Sequence, residues 1–165
     1  MLAAKKTRVL LKSGRVGVIA DTHGLLRPEA VEALKGSELI IHAGDIGKPE
    51  VLDSLKSIAP VLAIRGNNDR EVWAQKIPDI LSIYVNDVGI YVIHNAHELE
   101  IDPAADGFHA VISGHSHKPA IARRDGVTFL NPGSAGPRRF KLPIAVARLV
   151  IEREKVRARI VQLKI

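Results

Sequence analysis

The chain has 165 residues, no cysteine and a formal net charge of +6. A chain of this length can bury a core as one domain, and the absence of cysteine excludes disulfides, iron–sulfur clusters and thiolate metal sites. No run of 18 apolar residues occurs in the sequence, so we predict no membrane-spanning helix. The apolar stretch Val16–Ala20 is too short for the core of a signal peptide, so we predict a cytoplasmic protein.

Charge is distributed unevenly along the chain. Residues 1–20 carry +5 and residues 138–165 carry +7, whereas residues 21–137 carry −6. Basic ends could contact nucleic acid or another anionic surface, but we favour solvated strands with Lys and Arg on their outer faces. An acidic middle that also contains His residues is typical of a cation site. We interpret segment 1–14 as a flexible tail or an edge strand of a single domain spanning 1–165.

The first third of the sequence alternates apolar runs with helical segments. Apolar runs bounded by Gly, Pro, Asn or Asp predict strands that end in loops, and Pro28 and Gly36 indicate where a helix begins and ends. This β-α-β-α-β order predicts parallel strands joined by right-handed crossovers. The predicted strands are 15–20, 38–42 and 61–65, and the predicted helices are 28–35 and 49–57.

Hairpins dominate the rest of the sequence. Asn86-Asp87 and Asp125-Gly126 are typical of tight turns between antiparallel strands, and the last two apolar runs, 145–152 and 155–164, predict a third hairpin. The two parts together predict an α/β (α+β) fold in which two sheets pack face to face with helices outside. The predicted strands of this part are 80–85, 88–94, 110–113, 121–124, 127–130, 145–152 and 155–164.

Side chains that can bind metal ions follow five of the predicted strands. Because ligands bind at the carboxyl ends of strands in open α/β sheets, we expect these side chains to lie together. Each motif alone is typical of an ordinary turn or an interior His, but five of them in one order favour a metal site. Carboxylate and imidazole ligands suit Mn, Fe, Zn, Co or Ni better than Ca. The candidate ligands are Asp21, His23, Asp45, Asn67, His94, His115 and His117.

These residues occur in a series of short motifs: Asp21-Thr22-His23, Gly44-Asp45, Gly66-Asn67-Asn68-Asp69, His94 and Gly114-His115-Ser116-His117. In this order the motifs resemble those of the calcineurin-like metallophosphoesterases. The later Asn131-Pro132-Gly133-Ser134 and the small size are similar to the compact YfcE-type phosphodiesterases, which are related to the retromer scaffold subunit. The resemblance identifies the fold and the metal site specifically, but it gives little information about the substrate.

The resemblance implies a four-layer αββα sandwich with two mixed sheets and a dinuclear centre. Manganese is the metal that we expect first, and Fe, Zn, Ni or Co are the alternatives. One ion would be held by Asp21, His23 and His117, the other by Asn67, His94 and His115, and Asp45 would bridge them. The implied reaction is hydrolysis of phosphate esters, with phosphodiesters as the expected substrates, by in-line attack of a hydroxide that bridges the metals. Assembly into homo-oligomers is also implied.

One motif departs from the family pattern. Where the family has a His that is taken as the general acid, this chain has Asn68, and an amide cannot protonate a leaving group in that way. The change argues against efficient cleavage of esters with poor leaving groups. Asp69 is expected to orient a neighbouring group. His97 could contact the substrate, but we favour an ordinary loop His, and we expect Arg138, Arg139 and Lys141 in a solvated loop.

Three functions are compatible with this sequence. The favoured one is a phosphodiesterase for a small phosphodiester or a nucleotide-like substrate. The second is a non-catalytic or weakly catalytic protein-interaction scaffold of the same fold, which could have lost ligands, whereas all seven candidates are present here. A nuclease is less favoured because the chain has no room for an added DNA-binding domain and lacks the His at position 68, so nucleic acid is a less favoured partner.

Overall fold

The computed structural model describes residues 4–165, in which eleven strands form two β-sheets. Two α-helices, α1 (Pro28–Leu34) and α2 (Pro49–Lys56), and two short 3-10 helices at Val72–Ala74 and Ala96–Glu98 connect them. The strands are β1 (Lys5–Val9), β2 (Arg15–Ile19), β3 (Leu39–His42), β4 (Val61–Ala63), β5 (Ile80–Val85), β6 (Val88–Ile93), β7 (Phe108–Ile112), β8 (Ala120–Arg124), β9 (Val127–Asn131), β10 (Ala145–Glu152) and β11 (Lys155–Gln162).

Both sheets mix parallel and antiparallel strands. The larger sheet has the strand order β1-β5-β6-β7-β9-β8, and the smaller has the order β11-β10-β2-β3-β4. The strands β2, β3 and β4 run parallel, as the alternation of strands and helices predicted, and β10 joins them antiparallel. The three predicted hairpins, β5–β6, β8–β9 and β10–β11, are all antiparallel pairs.

Turn residues set the ends of these elements. Asn86 and Asp87 have φ values of 48° and 70°, the conformation of a type I′ turn, whose twist matches that of a β-hairpin. Pro28 begins α1, and Gly36, with φ of 88°, follows its last residues. Both signals were visible in the sequence.

Three apolar clusters separate the layers. The largest lies between the two sheets and includes Val18, Ile41 and Ile90. The helices α1 and α2 bury Leu34 and Leu55 against the outer face of the smaller sheet. The outer face of the larger sheet is covered by the segment around residues 99–101 rather than by an α-helix. The predicted sandwich of two mixed sheets packed face to face is confirmed.

The basic segment at the start of the chain contributes an edge strand. β1 pairs in parallel with β5, and the side chain of Asn86 exchanges hydrogen bonds with the backbone of Leu11 at 2.8 and 2.9 Å. Residues 1–3 lie outside the described residues. Within residues 4–165, no helix is both long and apolar enough to span a membrane.

Candidate metal centre

The candidate ligands follow the ends of β2, β3, β4, β6 and β7, and contacts between these loops bring them to one edge of the sandwich. Positive φ is uncommon for residues other than Gly and clusters at functional sites. The backbone is therefore held in a sparsely populated conformation at most of the ligand positions. Five of the seven candidates have positive φ: Asp21 (54°), His23 (46°), Asp45 (55°), His115 (72°) and His117 (62°).

Glycines in the motifs make room for the ligand side chains. A Cβ atom on Gly66 would lie 2.1 Å from Asp45 Oδ1, and one on Gly44 would lie 2.6 Å from His94 Nδ1. A Cβ atom on Gly114 would lie 2.9 Å from Asp21 Oδ2. The glycines that precede Asp45, Asn67 and His115 therefore allow a neighbouring loop to approach closely.

Asp21 lies at the centre of the cluster and is fully buried. Its Oδ2 accepts a hydrogen bond from the backbone N–H of His115 at 3.0 Å. Its Oδ1 faces three imidazoles, at 3.5 Å from His117 Nε2, 3.8 Å from His94 Nε2 and 3.9 Å from His23 Nε2. Burial, opposed by His94 and reinforced by Asp45, raises the pKa of Asp21 to about 7.

Asp45 is held in place by Asn68. The backbone N–H of Asn68 donates to Asp45 Oδ1 at 3.0 Å, and its side-chain amide donates to Asp45 Oδ2 at 3.1 Å. Asp45 Oδ2 is also 3.3 Å from His94 Nε2 and 3.7 Å from His23 Nε2. Burial would raise the pKa of Asp45, but His94 and the Asn68 N–H outweigh it and lower this pKa to about 2. The amide at position 68 thus orients a carboxylate, which the sequence did not reveal.

Two groups of three side chains have the spacing of a metal-binding triad. One consists of Asp21, His23 and His117 and the other of Asp21, Asp45 and His94, and within each the potential ligand atoms lie within 4.8 Å of one another. His23 Nε2 and His117 Nε2 are 3.3 Å apart. Asp21 belongs to both triads, so the structure places its carboxylate between side chains that the sequence assigned to different ions.

Asn67 and His115 lie at the rim of this cluster. Asn67 Oδ1 is 3.2 Å from His115 Nδ1, and the His115 ring lies edge-on to the His94 ring with centroids 5.3 Å apart. Asn67 is exposed and His115 is half-buried. Both are therefore adjacent to the buried triads and accessible to a ligand.

The donor set fits cations bound within the cluster. Asp21 Oδ1, His94 Nε2 and His117 Nδ1 are buried and have no well-oriented hydrogen-bond partner. Buried polar atoms without partners are costly and rare, and coordination of a cation would satisfy Asp21 Oδ1 and His94 Nε2. Carboxylate and imidazole together suit a divalent transition metal.

We expect divalent metal to stabilise the protein more at pH 8 than at pH 6. Without metal, Asp21, with its pKa raised to about 7, holds a proton at pH 6, and the pKa of His94 is also raised, by Asp45 and the Ala43 carbonyl against the effect of burial. A cation must displace these protons at pH 6 but meets fewer of them at pH 8. Ligand at about 100 times its Kd stabilises a protein by about 2.7 kcal/mol. Thermal unfolding with Mn²⁺ or with chelator, at both pH values, measures the difference, and an equal or larger shift at pH 6 would contradict it.

Asp69 holds together two loops that carry candidate ligands. Its buried carboxylate accepts hydrogen bonds from the backbone N–H groups of Ile46 at 3.0 Å, Gly47 at 3.0 Å and Gly66 at 2.9 Å. These are the loops that carry Asp45 and Asn67. Asp69 therefore orients backbone rather than a ligand side chain.

We expect Asp69→Asn to lower the free energy of unfolding by about 2 kcal/mol or more, because an amide has a single acceptor oxygen and a buried N–H left unpaired costs about 1–3 kcal/mol. Urea unfolding of the metal-free protein measures this loss. Asp53→Asn, on the exposed side of α2, is the matched control and should change little. Equal stability of the two variants would contradict the role of Asp69.

A cavity of about 610 Å³ opens beside the cluster. Asn67, His94 and His115 are among its lining residues, and Tyr91 and Leu99 are among its apolar walls. Exposed His97, in the 3-10 helix Ala96–Glu98, also lines it. The structure therefore brings His97 to the space next to the ligands, without a contact to any of them among the described hydrogen bonds.

The loop 137–142 begins beside the backbone that carries Asp21. It follows Gly136, whose Cα lies so close to the Asp21–Thr22 backbone that a Cβ atom would be 2.2 Å from the Thr22 carbonyl oxygen. Arg139 is exposed, as expected for a solvated loop. Burial, then Arg139, then His23 lower the pKa of His117 to about 4, so the Arg139 charge acts on the ligand cluster. The run of cations in the sequence gave no indication of which one influences the site.

The comparisons with known proteins agree with this geometry. The model of the calcineurin-like phosphoesterase superfamily domain matches residues 15–154. A probable metallophosphoesterase of Methanothermobacter thermautotrophicus is 35% identical over an alignment of 163 positions, which spans 89% of this chain and 91% of that protein.

Solved structures share the fold. An archaeal phosphodiesterase superposes with a TM-score of 0.74 and 25% identity, over 89% of this chain and 99% of that one. Vps29 of Entamoeba histolytica, solved in complex with zinc, superposes with a TM-score of 0.71 and 21% identity, over 90% of this chain and 98% of that one. The first similarity concerns a phosphodiesterase, and the second shows the fold alone.

Proposed function

The chain belongs to the calcineurin-like phosphoesterase superfamily, and from that premise we propose that it is a divalent-metal-dependent phosphodiesterase. The observation that carries the proposal is the convergence of two carboxylates and three imidazoles at the ends of strands, with buried atoms that lack partners. The family resemblance inferred from the motifs is confirmed by the match over residues 15–154.

We assign the ligands to two ions as the motifs suggested. Asp21, His23 and His117, which form one triad, would hold the first ion. Asn67, His94 and His115 would hold the second, and Asp45 would bridge, because it lies near both His23 and His94. Manganese is our first expectation, with Fe, Zn, Ni or Co as alternatives. Two such ions, when bound, lower the pKa of water and neutralise charge on the phosphoryl group.

The residues of the chain act by positioning and by charge. Asn68 fixes the Asp45 carboxylate through two hydrogen bonds, and Asp69 fixes the loop behind it. Preorganised groups of this kind need not reorient as charge develops on the substrate, which is a main source of catalysis. The in-line displacement implied by the family fits this arrangement and requires no nucleophilic side chain.

The surroundings of the cluster favour a diester substrate. A phosphodiester carries a second ester group that a monoester lacks, and the cavity lined by His97 beside the cluster offers space for that group. The cavity of about 610 Å³ has room for a group as large as a nucleoside, since ligand pockets of about 300–1,000 Å³ hold drug-sized molecules. The similar archaeal phosphodiesterase supports the same substrate class.

We expect Arg139→Gln to raise KM for phosphodiesters about tenfold with a smaller effect on kcat. Hydrogen bonds to charged groups contribute about 1.5–3 kcal/mol, and an exposed Arg that acts on the cluster is suited to attract the anionic substrate. Steady-state kinetics at two salt concentrations measure the change. Arg138→Gln removes the same charge one residue away and serves as control, and an equal effect of both variants would contradict a specific role of Arg139.

A screen of phosphomonoesters and phosphodiesters, with each divalent metal added to chelator-stripped protein, tests the proposed function. We expect metal-dependent hydrolysis with diesters preferred and Mn²⁺ most effective. Hydrolysis of monoesters alone would support phosphoesterase activity but contradict the proposed phosphodiesterase activity. No hydrolysis of any ester with any metal would reject the enzyme.

A protein-interaction scaffold is the second candidate function. The fold similarity to Vps29 favours it, and so does the exposure of Phe140 and Val72, at 87% and 79%, since exposed apolar side chains can serve protein contacts. The retention of every candidate ligand favours the enzyme. Cytoplasmic localisation and homo-oligomer formation stay predictions.

A further inference from the structure

Four arginines lie together on the outer face of the smaller sheet. Arg148 of β10 is directly opposite Arg159 of β11, and Val150 has Arg157 on one side and Arg15 of β2 on the other. Their neighbours Val16, Leu149 and Ala158 point into the core between the sheets, so the arginines share the opposite face. We call Arg15, Arg148, Arg157 and Arg159 the arginine array.

The arginine array surrounds a cavity of about 350 Å³. Val150 is part of its lining, and Lys35 and Ser37, beyond the end of α1, complete one wall. No acidic residue lines the cavity among the residues that the structure describes. Arg157 has an exposed carboxylate oxygen of Glu152 at 4.0 Å, outside the lining. Lys35 is paired with Glu32 at 2.6 Å, whereas Arg15, Arg148 and Arg159 have no carboxylate partner among the described ion pairs, so the cavity keeps the positive charge of these arginines.

This arrangement is unfavourable for the protein alone. Like charges directly opposite each other on a sheet face are destabilising. Charged side chains on an edge strand prevent aggregation, which accounts for Arg157 and Arg159 on β11. It does not account for Arg148 and Arg15, because β10 and β2 are interior strands of the sheet. The guanidinium of Arg148 donates to the Ala33 carbonyl at 2.8 Å, which fixes one member of the array.

We propose that the arginine array is a binding site for a ligand with two or more phosphate groups, separate from the metal centre. Planar guanidinium groups bind phosphate oxygens in pairs, and the array presents four of them around one concave surface. Arg15 begins β2 and Asp21 follows its end, so six residues at about 3.3 Å each separate the two sites by about 20 Å. The phosphates belong either to a small polyphosphate or to a nucleic-acid strand. The proposal does not depend on the proposed function.

The test compares two double variants that remove the same charge. Arg157→Gln/Arg159→Gln changes the exposed part of the array and leaves the hydrogen bond from Arg148 to Ala33 of α1 in place. Lys5→Gln/Lys6→Gln, on exposed positions of β1 in the other sheet, is the control. Binding of inorganic tripolyphosphate by calorimetry and of a labelled 20-nucleotide single-stranded DNA by fluorescence anisotropy is measured on metal-loaded protein, together with hydrolysis of a small aryl phosphodiester.

We expect the array variant to weaken binding of at least one probe about tenfold or more, with wild-type hydrolysis and without a lower unfolding temperature. For DNA, the magnitude of the slope of log K against log salt should fall by about 1.4, because the double variant removes two phosphate contacts and each contact to a single strand contributes about 0.7. Loss of both probes or of tripolyphosphate alone identifies a polyphosphate site, and loss of DNA alone identifies a nucleic-acid site. The proposal is overturned if neither probe binds wild type, if both variants weaken binding equally, or if the array variant binds normally.

Discussion

Asp45→Asn is expected to lower kcat for phosphodiester hydrolysis by about 10³-fold or more. Metal ions contribute several kcal/mol to stabilising charge in phosphoryl transfer, and ~4 kcal/mol corresponds to about 10³-fold in rate. Asp45 lies within 3.7 Å of His23 and 3.3 Å of His94, so a change there affects both halves of the proposed centre. In the unmodified protein, Asn68 donates a hydrogen bond to each oxygen of the Asp45 carboxylate. The side-chain amide introduced by Asp45→Asn would present an NH₂ group to one of these donors and a weaker acceptor to the other. Steady-state kinetics at saturating metal measure the loss.

Comparing Asp45→Asn with two other variants, His23→Ala and Asp21→Asn, distinguishes a carboxylate that bridges two ions from a ligand of one ion. His23→Ala should reduce kcat less than Asp45→Asn, and it should leave one metal ion per chain by elemental analysis, whereas Asp45→Asn should leave fewer. Asp21→Asn is the sharper comparison, because the Asp21 carboxylate also lies between the two triads. If Asp21→Asn loses both ions and Asp45→Asn loses one, the bridge is Asp21. Comparable kinetics for Asp45→Asn and His23→Ala would count against a bridging Asp45.

The sequence predicted most of the framework that positions the site, because its signals are local. Turn residues such as Asn86-Asp87 have one compatible geometry in a hairpin, and the alternation of short strands and helices allows few topologies. Candidate ligands at the ends of parallel strands must then meet at one edge of the sheet. The cluster of Asp21, Asp45 and His94 follows from that rule, although its coordination of metal stays a prediction.

Features that depend on long-range contacts could not be predicted. The sequence allowed an edge strand within residues 1–14 but not its partner, because β1 is basic and largely exposed and its pairing with β5 spans more than 70 residues. The hydrogen bonds from Asn68 to Asp45 join loops that follow different strands. The arginine array combines β2 with β10 and β11, from opposite ends of the chain, and the sequence showed only that both ends are basic. In each case the relevant neighbour is set by sheet order rather than by local sequence.

Hydrolysis should depend steeply on the leaving group, because the structure commits Asn68 to Asp45 and provides no imidazole at that position. A positioned general acid is worth about 10²–10⁴-fold, and its benefit grows as the leaving group becomes more basic. Without one, the departing oxygen must leave as an anion or take a proton from water. We therefore expect kcat/KM to fall strongly across aryl phosphodiesters of rising leaving-group pKa, and Asn68→His to flatten that dependence. Kinetics with a graded aryl series measure both slopes.

The comparison needs a control for the loss of the Asn68 amide, which also positions Asp45. Asn68→Ser removes the amide without adding an acid, so it should lower all rates while keeping the steep slope, and Asn68→His should differ from it in slope. His97 is the competing source of a proton, because it lines the cavity beside His94 and His115. A shallow slope in the unmodified protein that becomes steep in His97→Ala would refute the missing acid and assign proton donation to His97. An unchanged steep slope in His97→Ala would leave water as the donor and restrict the enzyme to esters with good leaving groups.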